Sequence, residues 1–323
     1  MDNEPSSEVK AEHHEHKPEH HEHPAEHKIE KIPFNWSSWY DKNYKFLLII
    51  PALLLIASVI FVISFSISTG DIFIKDVTLT GGTALTVFTD KPIMGDLEKA
   101  LQSKFNDIVV RKLTDVGTEK QIAVTVESPA KPEELKPAVE EFLGYKLDEK
   151  NSSTEFTGAS LSQSFYKELI FAMLLAFLFM SLVVFLIFKV PLPSVYVIVC
   201  AFTDIIVPLS VVDLLGMRIS TAGIAAFLML IGYSVDTDIL LTMRVLRRKE
   251  ELLNARIFGA FKTGITMTLT SLAAVTVGYF ITISPVLKEI FFILILGLIA
   301  DLIVTWSMNA TLLKWYCDKK GIQ

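Results

Sequence analysis

Residues 228–244, LMLIGYSVDTDILLTMR, are apolar over most of their length, yet they carry Asp236 and Asp238 and no basic residue before the last position. A charged side chain near the centre of a bilayer costs roughly 2.5–3.5 kcal/mol even on lenient insertion scales, so two acids in one such segment need shelter elsewhere in the fold. The segment belongs to an apolar run over 221–245, and five others accompany it at 46–68, 168–188, 194–215, 258–283 and 287–315. Each is long enough to cross a hydrocarbon core of about 30 Å. The pattern predicts six membrane-spanning helices, in keeping with a chain that is 51% hydrophobic with a mean hydropathy of +0.45.

The polar remainder divides the chain. Residues 1–45 comprise a tail, with all seven histidines interspersed among glutamates, and an interfacial segment. The tail cannot bury a core and is expected to be disordered; nothing in it fixes a coordination geometry, so no metal site is assigned. Phe34, Trp36, Trp39, Tyr40 and Tyr44 with Lys42 and Lys45 form the aromatic and basic mixture found where a chain meets lipid headgroups. The run at 46–68 is too long, and too far from the N-terminus, for a secretory signal, and reads as a retained first helix. Residues 69–167 make the one sizeable hydrophilic domain. Strands are expected at 83–88, 108–113, 121–126 and about 154–161, with helices at 94–105 and 132–145, the order of a ferredoxin-like α+β sandwich. Helices two to six occupy 168–315, and 316–323 form a short C-terminal tail.

Basic residues set the expected orientation. Lys28, Lys31, Lys42 and Lys45 precede the first helix, Lys189 follows the second, Arg244, Arg247, Arg248, Lys249, Arg256 and Lys262 surround the fourth-to-fifth connection, and Lys314, Lys319 and Lys320 end the chain. The short connections on the other side carry only Arg218 and Lys288. Both termini are therefore expected in the cytoplasm of a plasma-membrane protein, with the α+β domain outside. The net charge of −6, with basic residues gathered beside apolar runs, argues against nucleic-acid binding. Cys200 and Cys317 are the only cysteines, so the hydrophilic domain has no disulfide framework. A phosphate-binding loop, a GxSxG elbow and an HExxH helix are all absent; the chain has no enzymatic constellation and no cofactor is expected.

The candidate functional groups are the intramembrane acids. Asp204 lies about ten residues into the third helix and Asp236 about fifteen into the fourth, which enters from the opposite face, so the two reach similar depth at 1.5 Å per residue. Paired carboxyls at mid-membrane form a natural proton site. Asp238 is two residues from Asp236, a turn of roughly 200°, so the two cannot face one neighbour and one of them is structural. Ser234, Thr237, Thr270 and Asp301 are expected as supporting polar residues, Asn309 as a further buried polar partner on the sixth helix, and Asp213 as a boundary residue at its helix end. The bland alternative is that each acid, kept neutral, bonds across packed helices.

The stretch 232–241, GYSVDTDILL, resembles the fourth membrane helix of the SecF protein-export family, within the resistance–nodulation–division (RND) group. Thr80-Gly81-Gly82-Thr83, the 160–165 segment SLSQSF, Thr203-Asp204 and the 267–271 segment MTLTS fit the family in the same order. The family's Asn-Asp-Thr is here Asp236-Thr237-Asp238, which looks like the archaeal form. That register sets Thr237 opposite the bacterial acid and Asp236 where the partner family, SecD, carries its own. The resemblance implies an accessory subunit of protein translocation that works with SecD and the Sec channel on unfolded secreted polypeptide, amid membrane lipids, using the proton-motive force. An RND-type exporter of lipids or hydrophobic molecules is the alternative; such an exporter needs two six-helix halves, and this chain has one.

Overall fold

The computed structural model describes residues 34–91, 93–105, 107–114, 120–247 and 251–322. The expected disordered tail lies outside the described residues, as do Gly117, Arg248 and Lys249. From the N-terminus, α1 (Phe34–Leu47) turns at Leu48 into α2 (Ile49–Thr69), the first helix long and apolar enough to span a membrane. A one-turn helix, α3 (Val77–Thr80), leads into β1 (Gly82–Phe88), α4 (Met94–Gln102), β2 (Val109–Thr114), β3 (Gln121–Ser128), α5 (Pro132–Leu143) and β4 (Ser152–Thr157). Then come α6 (Ala159–Phe188), α7 (Pro191–Leu214), α8 (Thr221–Arg247), α9 (Leu253–Ile281) and α10 (Pro285–Val304), which continues through a π turn (Thr305–Asn309) into α11 (Ala310–Lys320). Six spans of this kind occur among the described residues.

The sheet order is β2-β3-β1-β4 with every pairing antiparallel, the ferredoxin-like arrangement. Alternation along β1 sends Leu85 and Val87 to one face, where they join Val110, Val124 and Val126 and meet Leu97 and Leu101 of α4 and Leu135 and Val139 of α5. The other face carries Ala84, Thr86 and Thr125 and looks toward the ends of the membrane helices. The two glycines of the Thr-Gly-Gly-Thr segment have a packing cause. Gly81 has φ +91°, and a Cβ there would stand 2.4 Å from the Ala159 backbone; Gly82 has φ +139°, and its Cβ would meet the Ser128 carbonyl at 2.4 Å.

The second span starts earlier than its apolar run. Helix α6 begins at Ala159, inside the stretch expected as the end of the α+β domain, and the last strand stops at Thr157. Polar residues such as Ser160, Ser162 and Ser164 mark only where the helix leaves the apolar layer, and its first turn is packed against Gly81.

Helix α8 lies at the centre. It buries Ile224, Ala226, Phe227 and Leu230 in a cluster with Leu209 and Val212 of α7 and Ile293 and Leu294 of α10, while α6 and α9 expose most of their surface. Gly297 lets α10 approach α8: a Cβ there would lie 2.0 Å from Leu230 Cδ1. At the opposite end from the sheet, α1 is fastened to α11 and α9. Lys314, almost fully buried, pairs with Asp41, donates to Asn254 Oδ1 at 2.6 Å and lies 4.7 Å from the Tyr40 ring centre.

A buried carboxyl cluster and the family of the chain

The polar residues of α8 fall on two faces. Ser234, Thr237, Asp238, Leu241, Thr242 and Val245 repeat at intervals of three and four and are buried, whereas Gly232, Tyr233 and Asp236 are exposed on the outer side. The expected pairing of Asp204 with Asp236 is therefore corrected: at 3.6 residues per turn the helix carries Asp236 away from α7 and carries Asp238 inward.

Inside, three carboxyls from three helices converge. Asp204 of α7, Asp238 of α8 and Asp301 of α10 are each at most 1% exposed. The Ser234 hydroxyl donates to Asp204 Oδ2. Thr305 Oγ1 lies 2.9 Å from Asp301 Oδ1 and 3.1 Å from Asp238 Oδ1, and Asn309 Nδ2 donates to the same Asp238 oxygen at 2.7 Å. Thr268 Oγ1 of α9 is 3.4 Å from Asp301 Oδ2, and Ser234 and Thr237 are also within reach of Asp301. The Thr305 hydroxyl has one proton. It can donate to one carboxyl only, so its contact with the other is satisfied when that carboxyl carries a proton of its own.

Compensating cations are missing from this centre: among the described residues no Lys or Arg forms an ion pair with any of the three acids. An ionised carboxyl moved out of water carries a penalty of several kcal/mol, and three side by side multiply it. Asp204 Oδ1, Asp238 Oδ2 and Asn309 Oδ1 are buried without a hydrogen-bond partner among the described residues. The cluster thus combines three acids with spare acceptor positions on Asp204, Asp238 and Asn309.

The π turn is what aligns α10 and α11 with it. Across the eight residues from Asp301 to Asn309 an α-helix would rotate a side chain roughly 80° off line. With the wider turn at Thr305–Asn309, Thr305 still bonds Asp301 while Thr305 and Asn309 both reach Asp238. Of the other expected residues, Thr237 is buried beside the cluster. Thr270 is exposed, and its hydroxyl bonds back to Thr266 O and Met267 O of its own helix. Asp213 accepts from Ile74 N at 3.4 Å at the sheet-bearing end. Asn309 is the buried polar partner expected on the sixth helix; Thr305 was not among the expected residues, and no Pro or Gly marks the π turn in the sequence.

Residues 139–319 match the family model described as protein export membrane protein SecD/SecF, C-terminal. A protein-export membrane protein SecF from Methanocaldococcus jannaschii is 38% identical over 281 residues, covering 85% of this chain and 96% of that protein. The chain belongs to the SecF family. SecF of Methanothermobacter thermautotrophicus is 36% identical over 87% of this chain and 95% of its own length, and SecF of Pyrococcus furiosus 33% over 87% and 93%. Among solved structures, SecDF of Thermus thermophilus, a translocon-associated membrane protein, shares the fold with a TM-score of 0.68 at 18% identity. The overlap covers 89% of this SecF-family chain and 39% of the SecDF chain. The chain is a multi-pass membrane protein with a six-helix unit of the SecDF fold, and its α+β domain sits between the first and second spans.

Proposed function

We propose that this SecF-family protein assists Sec-dependent export of unfolded polypeptides together with a SecD-like six-helix subunit, and that the Asp204–Asp238–Asp301 cluster couples that work to the proton-motive force. The supporting observation is the cluster itself: three acids on three helices lie together without a cation, Asp238 and Asp301 sharing the Thr305 hydroxyl and Asp204 accepting from Ser234, so a proton gained or lost there alters how the helices are held. A proton crossing 100 mV releases about 2.3 kcal/mol, enough to shift a two-state equilibrium roughly fifty-fold. The positive-inside pattern orients the cycle, with termini in the cytoplasm and the α+β domain outside, where exported chains emerge.

The partner follows from Asp236. An acid exposed on the outer face of a central span, in line with Gly232 and Tyr233, is left facing lipid by this chain alone, at a cost of roughly 2.5–3.5 kcal/mol. A second half packed on that face removes the cost, and a six-plus-six assembly is the RND plan. The test is genetic. Cells lacking the chain are expected to accumulate unexported precursors, the intact gene to relieve this, and Asp238→Asn at equal abundance to fail. Full relief by Asp238→Asn would remove the coupling role, and absence of any precursor defect would remove the export role.

A further inference from the structure

The α+β domain is fastened to the membrane helices by a small set of contacts. The strand ahead of α3 forms a parallel bridge with the α7–α8 connection, Ile219 N donating to Ile74 O at 2.8 Å and Asp76 N to Ile219 O at 3.0 Å. Thr221 N donates to Thr78 Oγ1 at 3.2 Å, and Lys288 Nζ of α10 to Thr114 O of β2 at 3.3 Å. Between the uncovered sheet face and the helix ends lies a cavity of ≈ 750 Å³ floored by Tyr279 and Phe292. Phe73 and Leu79 pack with the helix ends beside it, and the polar groups across the cavity add to that hold.

At one edge of this cavity, Glu127 of β3 is 5% exposed. Arg111 on the neighbouring strand β2 reaches both its oxygens, at 2.7 and 2.8 Å. Arg218 of the α7–α8 connection stands 3.9 Å away, and Asp76 is within hydrogen-bonding reach. The remaining charged groups on the cavity wall are Lys112 of β2, Glu155 of β4, and Lys288 and Glu289 of α10. Glu289 is held on the membrane side, accepting from Ser220 N at 2.8 Å and Ser220 Oγ at 2.7 Å. A hydrogen bond between the Glu127 and Asp76 carboxyls requires a proton on one of them.

We propose that Glu127 is a proton-operated latch: protonated, it is buried against Asp76 and the α7–α8 connection with the domain docked; ionised, it draws the domain off the membrane helices into water. Burial above all, and Asp76 next, push Glu127 up to about 7 against the downward pull of Arg111 and Arg218. Arg111 belongs to the same sheet and travels with Glu127, so an undocked Glu127 keeps its cation while gaining solvent. The sign follows: the docked form binds the proton more tightly than the undocked one. Docking therefore strengthens as pH falls below about 7 and weakens as pH rises through it. This goes beyond the export reading, and domain position can be read without any export assay.

The test uses the full chain in lipid nanodiscs with nitroxide labels at Glu134→Cys on α5 and Leu215→Cys at the end of α7, both exposed, the native Cys200 and Cys317 being buried. Pulsed electron spin resonance is recorded from about pH 5.5 to about pH 8.5, spanning ordinary and raised carboxyl ranges. A single short distance is expected at the acid end, with a longer population rising as the pH climbs from the ordinary carboxyl range through about 7. Glu127→Gln, a permanently neutral isostere, is expected to hold the short distance throughout. A distance independent of pH in the parent chain, or an unchanged pH response in Glu127→Gln, would overturn the latch. Hydrogen exchange at Val124 and Val126 reports whether the sheet survives the substitution. If it does not, Arg218→Gln decides: losing a positive neighbour of the docked carboxyl should move the midpoint to higher pH, and an unmoved midpoint overturns the proposal.

Discussion

Thr305 is the residue on which the carboxyl cluster turns, since one hydroxyl touches acids from two helices. Thr305→Val keeps shape and removes the bridge. A hydrogen bond between membrane helices is worth about 1–2 kcal/mol, so gradient-dependent export should fall roughly 5–30-fold while membrane insertion and abundance stay normal. Export that is unchanged at equal abundance would make the bridge incidental. Asp236→Asn should cost far less coupling than Asp238→Asn, the reverse of the order expected from depth alone. The depth of the acids was readable from the sequence; their azimuth was readable too, because Ser234, Thr237, Asp238 and Thr242 already fall on one stripe. Thr305 was not legible in the same way, since nothing in the sequence marks the π turn that begins there.

At the scale of elements, the crossing of α8 and α10 decides whether the acids meet. Gly297 sits at that crossing, against Leu230, and Gly297→Ala inserts a methyl group where Leu230 Cδ1 would be 2.0 Å away. Overpacking of this kind costs about 1–3 kcal/mol. Thermal unfolding in detergent should show that loss, and adding Leu230→Ala should recover part of it, giving a favourable coupling in the double-mutant cycle. Strict additivity of the two changes would mean that the helices do not pack here as described. The six spans, and the strand and helix order of the α+β domain, were legible because apolar run length and period-two alternation are local signals. The start of α6 at Ala159 was not, because its first turns lie outside the apolar run and are set against Gly81 by a tertiary contact. Likewise the basic and aromatic residues after 33 announced an interface without showing that Lys314 would pin α1 to α11.

For the whole molecule, orientation and assembly are the open quantities. Proteases added outside intact cells should reach the 131–136 region and spare 251–256, since the basic connection belongs to the cytoplasmic side; the reverse pattern would invert the proposed orientation. Gentle purification should recover a second six-helix subunit, and Asp236→Trp, a wedge on the exposed face of α8, should reduce that recovery severalfold without preventing insertion. Undiminished recovery would move the intersubunit contact to another face. Both expectations matter because proton passage is useful only if the carboxyl cluster is linked to an outward-facing domain and to the channel it serves. The most direct measurement is export of a secreted substrate into sealed inverted vesicles, with and without an uncoupler, for the parent chain and for Asp238→Asn. The parent should show uncoupler-sensitive stimulation and Asp238→Asn should show none, with equal amounts of assembled complex in both. Full uncoupler-sensitive stimulation with Asp238→Asn would contradict proton coupling through the cluster and leave these acids as hydrogen bonds between packed helices.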